Sequence, residues 1–279
     1  MFVSSYLKKG VYPNTYRMKK LVILSLIYLV SCSTVPMTGR KQLVAIPSSQ
    51  MIALSDESYA QVLKEGKISS NAEYRASVQK VGENLTRAVE KYMTENGMEE
   101  YIQGYKWQYN VLVSEQLNAW CMPGGQIAFY EGIMPVCMDE SGIAVVMGHE
   151  IAHAVAQHGN ERMSQQLAIQ LGGIALSEAL RTQKQETIDL ALLAFGVGSK
   201  VGIELPYSRT HESEADELGL YFMAMAGYNP QGAPDFWKRM EAKGGSRPPE
   251  FLSTHPDPAN RTEDLNRHMP KAMEYYNNR

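Results

Sequence analysis

Gly148-His149-Glu150-Ile151-Ala152-His153 reads H-E-x-x-H and continues the apolar run Ile143-Ala144-Val145-Val146-Met147. That run has helical character, and positions i and i+4 of a helix lie one turn apart on one face. His149 and His153 therefore present two imidazole nitrogens to one metal ion. Glu150 is rotated about 100° from His149. It misses the coordination shell but can reach a metal-bound water. Two neutral imidazoles on Zn²⁺, with a carboxylate to take the proton from water, is the geometry of a zinc hydrolase. Average residue usage gives this pattern by chance in on the order of 1% of chains this long. Support must therefore come from the rest of the sequence.

Either Asp139 or Ser141 can cap the helix, and His158-Gly159 reads as its end, a cationic last turn followed by glycine. His158 lies half a turn out of phase with His149, so it reads as a C-terminal cap and not as a ligand. The variant with a third histidine on the same segment fails, because Ala156 stands where glycine is needed and Gly159 where histidine is needed. The third ligand must come from elsewhere, and an acid is the usual choice. His211-Glu212-Ser213-Glu214-Ala215-Asp216 opens another helical run. Glu212 and Asp216 share a face. One can bind metal while the other accepts a hydrogen bond from a ligand imidazole and fixes its tautomer. Glu214, about 200° from Glu212, reads as solvated. Without H-E-x-x-H, an acid-rich helix start would mean only dipole complementation.

Before the H-E-x-x-H helix, Trp107, Tyr109, Val111 and Val113 alternate with polar residues, as a strand does. Asn118 to Met122 and Gln126 to Tyr130 are two more strands, joined by the turn Pro123-Gly124-Gly125. This predicts a small antiparallel sheet. Its edge could add an extended peptide by main-chain hydrogen bonds. Helical spacing covers Ser49 to Gly66 and Ala72 to Tyr92, with Val78, Val81, Leu85 and Val89 on one face. Leu167 to Leu180 and Ile188 to Ile203 are apolar and glycine-containing and read as a packed helical hairpin. A mobile lid or a membrane-facing surface is the other reading. A loop covers Lys243 to Pro249. Pro256 and Pro258 exclude a helix interior between Phe251 and Arg261, and one polar helix follows, about Pro258 to Tyr276.

The chain has 279 residues and a formal charge of −3. Its first 31 residues hold five of the 27 basic residues and no acid, so the remainder carries 22 basic and 30 acidic residues, or −8. This balance gives no nucleic-acid signature. Met18-Lys19-Lys20, the apolar stretch Leu21 to Val30 and Ser31-Cys32 read as residues 1–31 of a secretory signal, with Met18 the natural start. Leu29-Val30-Ser31-Cys32 resembles a bacterial lipobox, which makes Cys32 the lipidation site. Residues 32–50 read as a lipidated tether and 51–279 as the catalytic domain. Cys121 and Cys137 are compatible with one disulfide or with two free thiols.

Taken together, the residues resemble the zinc metallopeptidases that include the CAAX prenyl protease and HtpX. They are closest to the branch without transmembrane helices, exemplified by mitochondrial OMA and BepA. The resemblance runs from about Gln42 to Arg267. It rests on Asn118-Ala119 with Pro123-Gly124-Gly125, on Gly148 to His153, on Tyr207-Ser208-Arg209, on Glu212-x-x-Ala215-Asp216, and on Ser253-Thr254-His255-Pro256 with Arg261. Residues Met163 to Val201 are poorly specified by it.

The resemblance implies an α+β fold, a mainly helical zincin of the gluzincin type with the small antiparallel sheet beside the H-E-x-x-H helix. It implies one Zn²⁺ on His149, His153 and Glu212, with Glu150 as general base and Asp216 orienting a ligand. It makes Asn118-Ala119 the substrate-binding edge. His255 is implied as a reversible occupant of the fourth metal position, and Arg261 as a group beside the reacting carbonyl. The function expected is a zinc-dependent endopeptidase of the bacterial envelope. It would be lipid-anchored facing the periplasm, at the outer membrane, and would cleave misassembled or unfolded envelope proteins. The competing expectation is an envelope lipoprotein with a chaperone-like or assembly role and a plugged, largely structural zinc.

Overall fold

The structure is a computed structural model that describes residues 32–243, 250–255 and 260–278. The signal segment, the loop 244–249 and the two prolines of 256–259 lie outside the described residues.

The core grows around one helix. Before it come β1 (Cys32–Thr34), β2 (Lys41–Leu43), α1 (Ser48–Glu65), α2 (Ala72–Glu95), β3 (Gln108–Leu112), β4 (Ala119–Met122), β5 (Gln126–Tyr130) and the one-turn α3 (Met134–Cys137). The central helix is α4 (Glu140–Val155). After it come α5 (His158–Ala179), α6 (Gln185–Ser199), α7 (Leu205–Met225), α8 (Ala233–Ala242), the short α9 (Glu250–Thr254) and α10 (Arg261–Asn277). The side chain of Asp139 caps α4 by accepting from the Gly142 amide at 2.9 Å. Every residue of α4 from Gly142 to Val155 is buried. A helix apolar on all sides has to be enclosed on all sides.

Enclosure on one face is by α2, through the stripe Val78, Val81, Leu85, Val89 and Met93. On another face α7 comes closest. A Cβ on Gly148 would lie 2.7 Å from the carbonyl oxygen of Gly219, and a Cβ on Gly219 would lie 2.7 Å from the amide nitrogen of His149. Two glycines back to back let the two backbones meet. Glu212, Asp216 and Gly219 stand at i, i+4 and i+7 of α7. The close approach therefore aims both acids at His149.

The three-stranded sheet has the order β3-β5-β4. β4 and β5 form the expected antiparallel hairpin. β3 pairs with β5 in parallel, so the sheet is mixed. β5, the most buried of the three, takes the centre and leaves β4 as an edge. The Tyr130 and Gly125 amides donate to the Asn118 and Met122 carbonyls, each at 3.0 Å. Pairing alternates along an antiparallel strand, so the peptide groups of Ala119 and Cys121 point away from β5.

Two further expectations need revision. The polar stretch 32–50 is folded. β1 and β2 pair as an antiparallel hairpin, and Arg40 is carried into the protein to meet Glu161 and Glu214. Helix α4 stops at Val155, three residues early, because Gln157 turns into the left-handed region at φ 57°. His158 therefore opens α5 and does not cap α4. The helical hairpin is present as α5 and α6. Its outer face leaves Leu167, Leu171, Ile174, Leu190, Leu193 and Val197 exposed. Among the described residues no helix is long and apolar enough to cross a membrane. Cys121 and Cys137 are free thiols, the latter buried.

Candidate metal centre

One turn of α4 sets the imidazoles of His149 and His153 side by side, with their Nε2 atoms 3.0 Å apart. From α7, Glu212 brings Oε2 to 3.3 Å from His149 Nε2 and Oε1 to 3.5 Å from His153 Nε2. From the end of α9, His255 brings Nδ1 to 3.3 Å from His149 Nε2 and 3.2 Å from Glu212 Oε1. These four side chains form the group of donors that could hold a metal ion, each offering one ligand atom within 4.8 Å of the others. The separations test the fit. A tetrahedral ion with bonds of about 2.0–2.1 Å needs ligand atoms about 3.3 Å apart; the contacts named here span 3.0–3.5 Å, and the four ligand atoms all lie within 4.8 Å of one another.

Charge and tautomer agree with that fit. Burial would raise the Glu212 carboxyl, but His153, His149 and His255 hold it well below the usual carboxylate range. Burial pushes His153 well down, which keeps it neutral as a ligand must be. Burial also acts to lower His149, yet its bonds to Asp216 and Glu212 lift it to about 9. A cation among the donors would replace that proton. Asp216 accepts at His149 Nδ1 over 2.9 Å, the contact that fixes a ligand tautomer.

Glu150 points along the other side of α4. One oxygen lies 3.5 Å from His255 Nε2, and burial is the main reason its carboxyl is raised. The cleft beside it has a volume of about 210 Å³ and is walled by Met51, Ile52, Tyr101, Tyr105, Trp120 and Cys121, with His153 and His255 at its floor. Asn118 Oδ1 accepts from the outward Ala119 amide at 3.0 Å. Phe251 stacks on His255, ring centroids 4.5 Å apart. The Phe251 amide donates to the Leu117 carbonyl at 3.0 Å, tying α9 to the start of β4.

Arg261 is set against the two acids of α7. It is 2% exposed and lies beneath the candidate donors, Nε donating to Asp216 Oδ2 at 2.6 Å and Nη2 to Glu212 Oε2 at 3.4 Å. Its guanidinium stacks 4.0 Å above Trp237. Arg261 is not among the described residues that line the cleft. Glu214 is not solvated: it is buried, bonded to His158 at 3.0 Å and to Arg40 at 2.8 Å. Both faces of α7 are covered here, one by α4 and the other by the N-terminal hairpin. Sequence reasoning missed this second cluster. Its one visible signal was a surplus of histidine and acid around two helix starts.

The chain matches the model of peptidase family M48 over residues 79–269. It is 29% identical to the mitochondrial metalloendopeptidase OMA1 of Schizosaccharomyces pombe over 248 residues, covering 88% of this chain and 69% of that protein. With human mitochondrial metalloendopeptidase OMA1 it shares 32% over 254 residues, covering 88% of this chain and 47% of that protein. With the beta-barrel assembly-enhancing protease of Escherichia coli it shares 29% over 163 residues, 57% of this chain and 33% of that protein. The chain thus spans from about a third to two thirds of the length of these relatives. With an H-E-x-x-H helix, a converging third acid and this match across most of its length, the chain belongs to peptidase family M48 and is a metalloendopeptidase.

Proposed function

We propose that this protein is a zinc-dependent endopeptidase that cuts unfolded or misassembled proteins of a bacterial envelope. We assign His149, His153 and Glu212 as ligands and Glu150 as the base. The observation that carries the reading is the close set of four donor side chains beside a buried carboxylate and a strand edge that pairs with no other strand among the described residues. Zn²⁺ held by these residues would supply the Lewis acidity that activates a carbonyl and a water. An extended substrate pairs with the outward peptide group of Ala119, and Asn118 gives up the Ala119 amide to it. Glu150 takes a proton from the water and passes it to the leaving amine. Asp216 holds the His149 ring, and Arg261 balances the charge of the two acids from below.

Purified protein should hold one zinc per chain by elemental analysis and cleave denatured casein. Glu212→Ala should lose both. Retained stoichiometric zinc in that variant would mean that the third ligand is another residue.

His255 is the fourth side chain of the donor group, and this supports two readings. In the first it is a latch, displaced when an unfolded segment binds along β4, a population shift driven by differential affinity. In the second the zinc is structural and the protein holds or assembles clients. His255→Ala separates them. A latch predicts higher basal cleavage of casein or of the protein itself, by several-fold. A structural fourth ligand predicts loss of zinc and a lower melting temperature with no gain in cleavage.

The envelope address rests on the Leu29–Cys32 pattern and on the likeness to a beta-barrel assembly-enhancing protease. Cys32→Ala should abolish lipid labelling and release the protein from membranes. Unchanged membrane association would shift attention to the exposed apolar face of α5 and α6.

A further inference from the structure

We propose that His158 is a positioning residue for the metal ligand His153, and that Glu214 with Arg40 and Thr38 locks it in place. The N-terminal hairpin would thereby be part of the metal centre. This rests on the metal reading given above and extends it to residues that the reading leaves unused.

The outer nitrogens of the two ligand histidines meet different partners. His149 Nδ1 has Asp216 at 2.9 Å. His153 Nδ1 has a second imidazole instead, with His158 Nδ1 at 2.8 Å. Two ring nitrogens at that distance share one proton between them. A neutral His153 that offers Nε2 to the other donors must carry its proton on Nδ1, so it donates and His158 Nδ1 accepts. His158 then carries its own proton on Nε2. That nitrogen lies 3.0 Å from Glu214 Oε2, a carboxylate that can only accept. Every donor and acceptor in this chain is matched in one arrangement and in no other.

Glu214 is held in turn. Arg40 Nε donates to Oε2 at 2.8 Å, and the Thr38 hydroxyl donates to Oε1. The two terminal nitrogens of Arg40 grip Glu161 at 3.1 and 2.8 Å. Glu161 pairs with His211 Nε2 at 2.8 Å, and the His211 ring stacks on His158 at 4.3 Å. His158, His211, Glu161 and Glu214 are all buried. Asp216 orients His149 directly. Glu214 orients His153 through one intervening ring.

Outer partners of this kind are worth about 10- to 100-fold in metal affinity. Zinc affinity would be measured by competition with a chromophoric chelator, beside thermal melts of the zinc-free protein. His158→Ala should weaken zinc binding by about that factor. His158→Asn keeps an acceptor at the Nδ1 position and should recover most of the affinity. His158→Gln extends its amide toward Glu214 but leaves His153 unpaired, and should not. Arg40→Ala should weaken binding less than His158→Ala does. Zinc affinity of His158→Ala within about two-fold of wild type would overturn the proposal, as would equal losses in the Asn and Gln variants.

Should the variants fail to fold, nitrogen-15 shifts of the wild-type zinc protein decide. The proton must sit on Nδ1 of His153 and on Nε2 of His158, and the opposite tautomer at His158 overturns the proposal. Wild-type protein that binds no zinc at all would instead bring down the metal reading on which this one stands.

Discussion

Glu150→Gln should lower casein cleavage by about 10²–10⁴-fold, the range for removing a general acid–base, while zinc stoichiometry and fold stay intact. The substitution keeps shape and volume and removes only the ability to take a proton. Glu150 is 2% exposed and borders the cleft. Its environment does two things at once. Burial raises the carboxyl and makes it a stronger base than a solvated glutamate, while His255 and His149 pull it the other way. Glutamine has no charge to bury, so the metal-free variant should melt no lower than wild type. Electrostatics therefore separates loss of activity from loss of fold, which is what makes the test informative. Residual cleavage above about a tenth of wild type would mean that another group accepts the proton.

The parts of this site that could be read from sequence are those that local geometry fixes. His149, Glu150 and His153 sit on one helical turn, and their relative positions follow from the helical repeat alone. The shared face of Glu212 and Asp216 was equally legible. Which of them meets the other donors depends on the crossing of α7 over α4 at Gly148 and Gly219. No single-segment pattern encodes that crossing, and family resemblance supplied the expectation.

Where the reading failed, the cause was a partner distant in sequence. Glu214 looked solvated because a helical wheel has one buried face, whereas this stretch of α7 is covered on two. The second cover is Arg40, 174 positions away. The end of α4 was misplaced because Gln157 takes a left-handed conformation without being glycine, which leaves nothing to see in the sequence. Alternation and a turn mark the strands but not their order, so the expected antiparallel sheet is in fact mixed. Burial decides the order: β5 is the most buried of the three and takes the centre.

Arg261→Ala should destabilise the metal-free protein by about 3–5 kcal/mol, the cost of breaking a buried ion pair by removing one partner. At this chain length that corresponds to a fall in melting temperature of about 6–20 °C. The guanidinium is shared between Asp216 at 2.6 Å and Glu212 at 3.4 Å, and both acids are buried. Without it, two carboxylates at the bottom of the site face each other with less positive charge nearby. Stacking on Trp237 at 4.0 Å is lost as well.

The two contributions can be told apart by zinc. A cation held by His149, His153 and Glu212 would face the same carboxylates from the opposite side, Glu212 directly and Asp216 through the His149 ring. Zinc should therefore offset much of the missing charge, and the loss should be clearly smaller in zinc-loaded than in chelator-treated protein. Arg261→Met restores packing on Trp237 but no charge, so it should track Arg261→Ala. Arg261→Lys keeps the charge without the two-pronged geometry and should fall between wild type and Ala. Losses of equal size with and without zinc, repaired by Met and not by Lys, would show that Arg261 serves as a packing residue and that the charge argument is wrong.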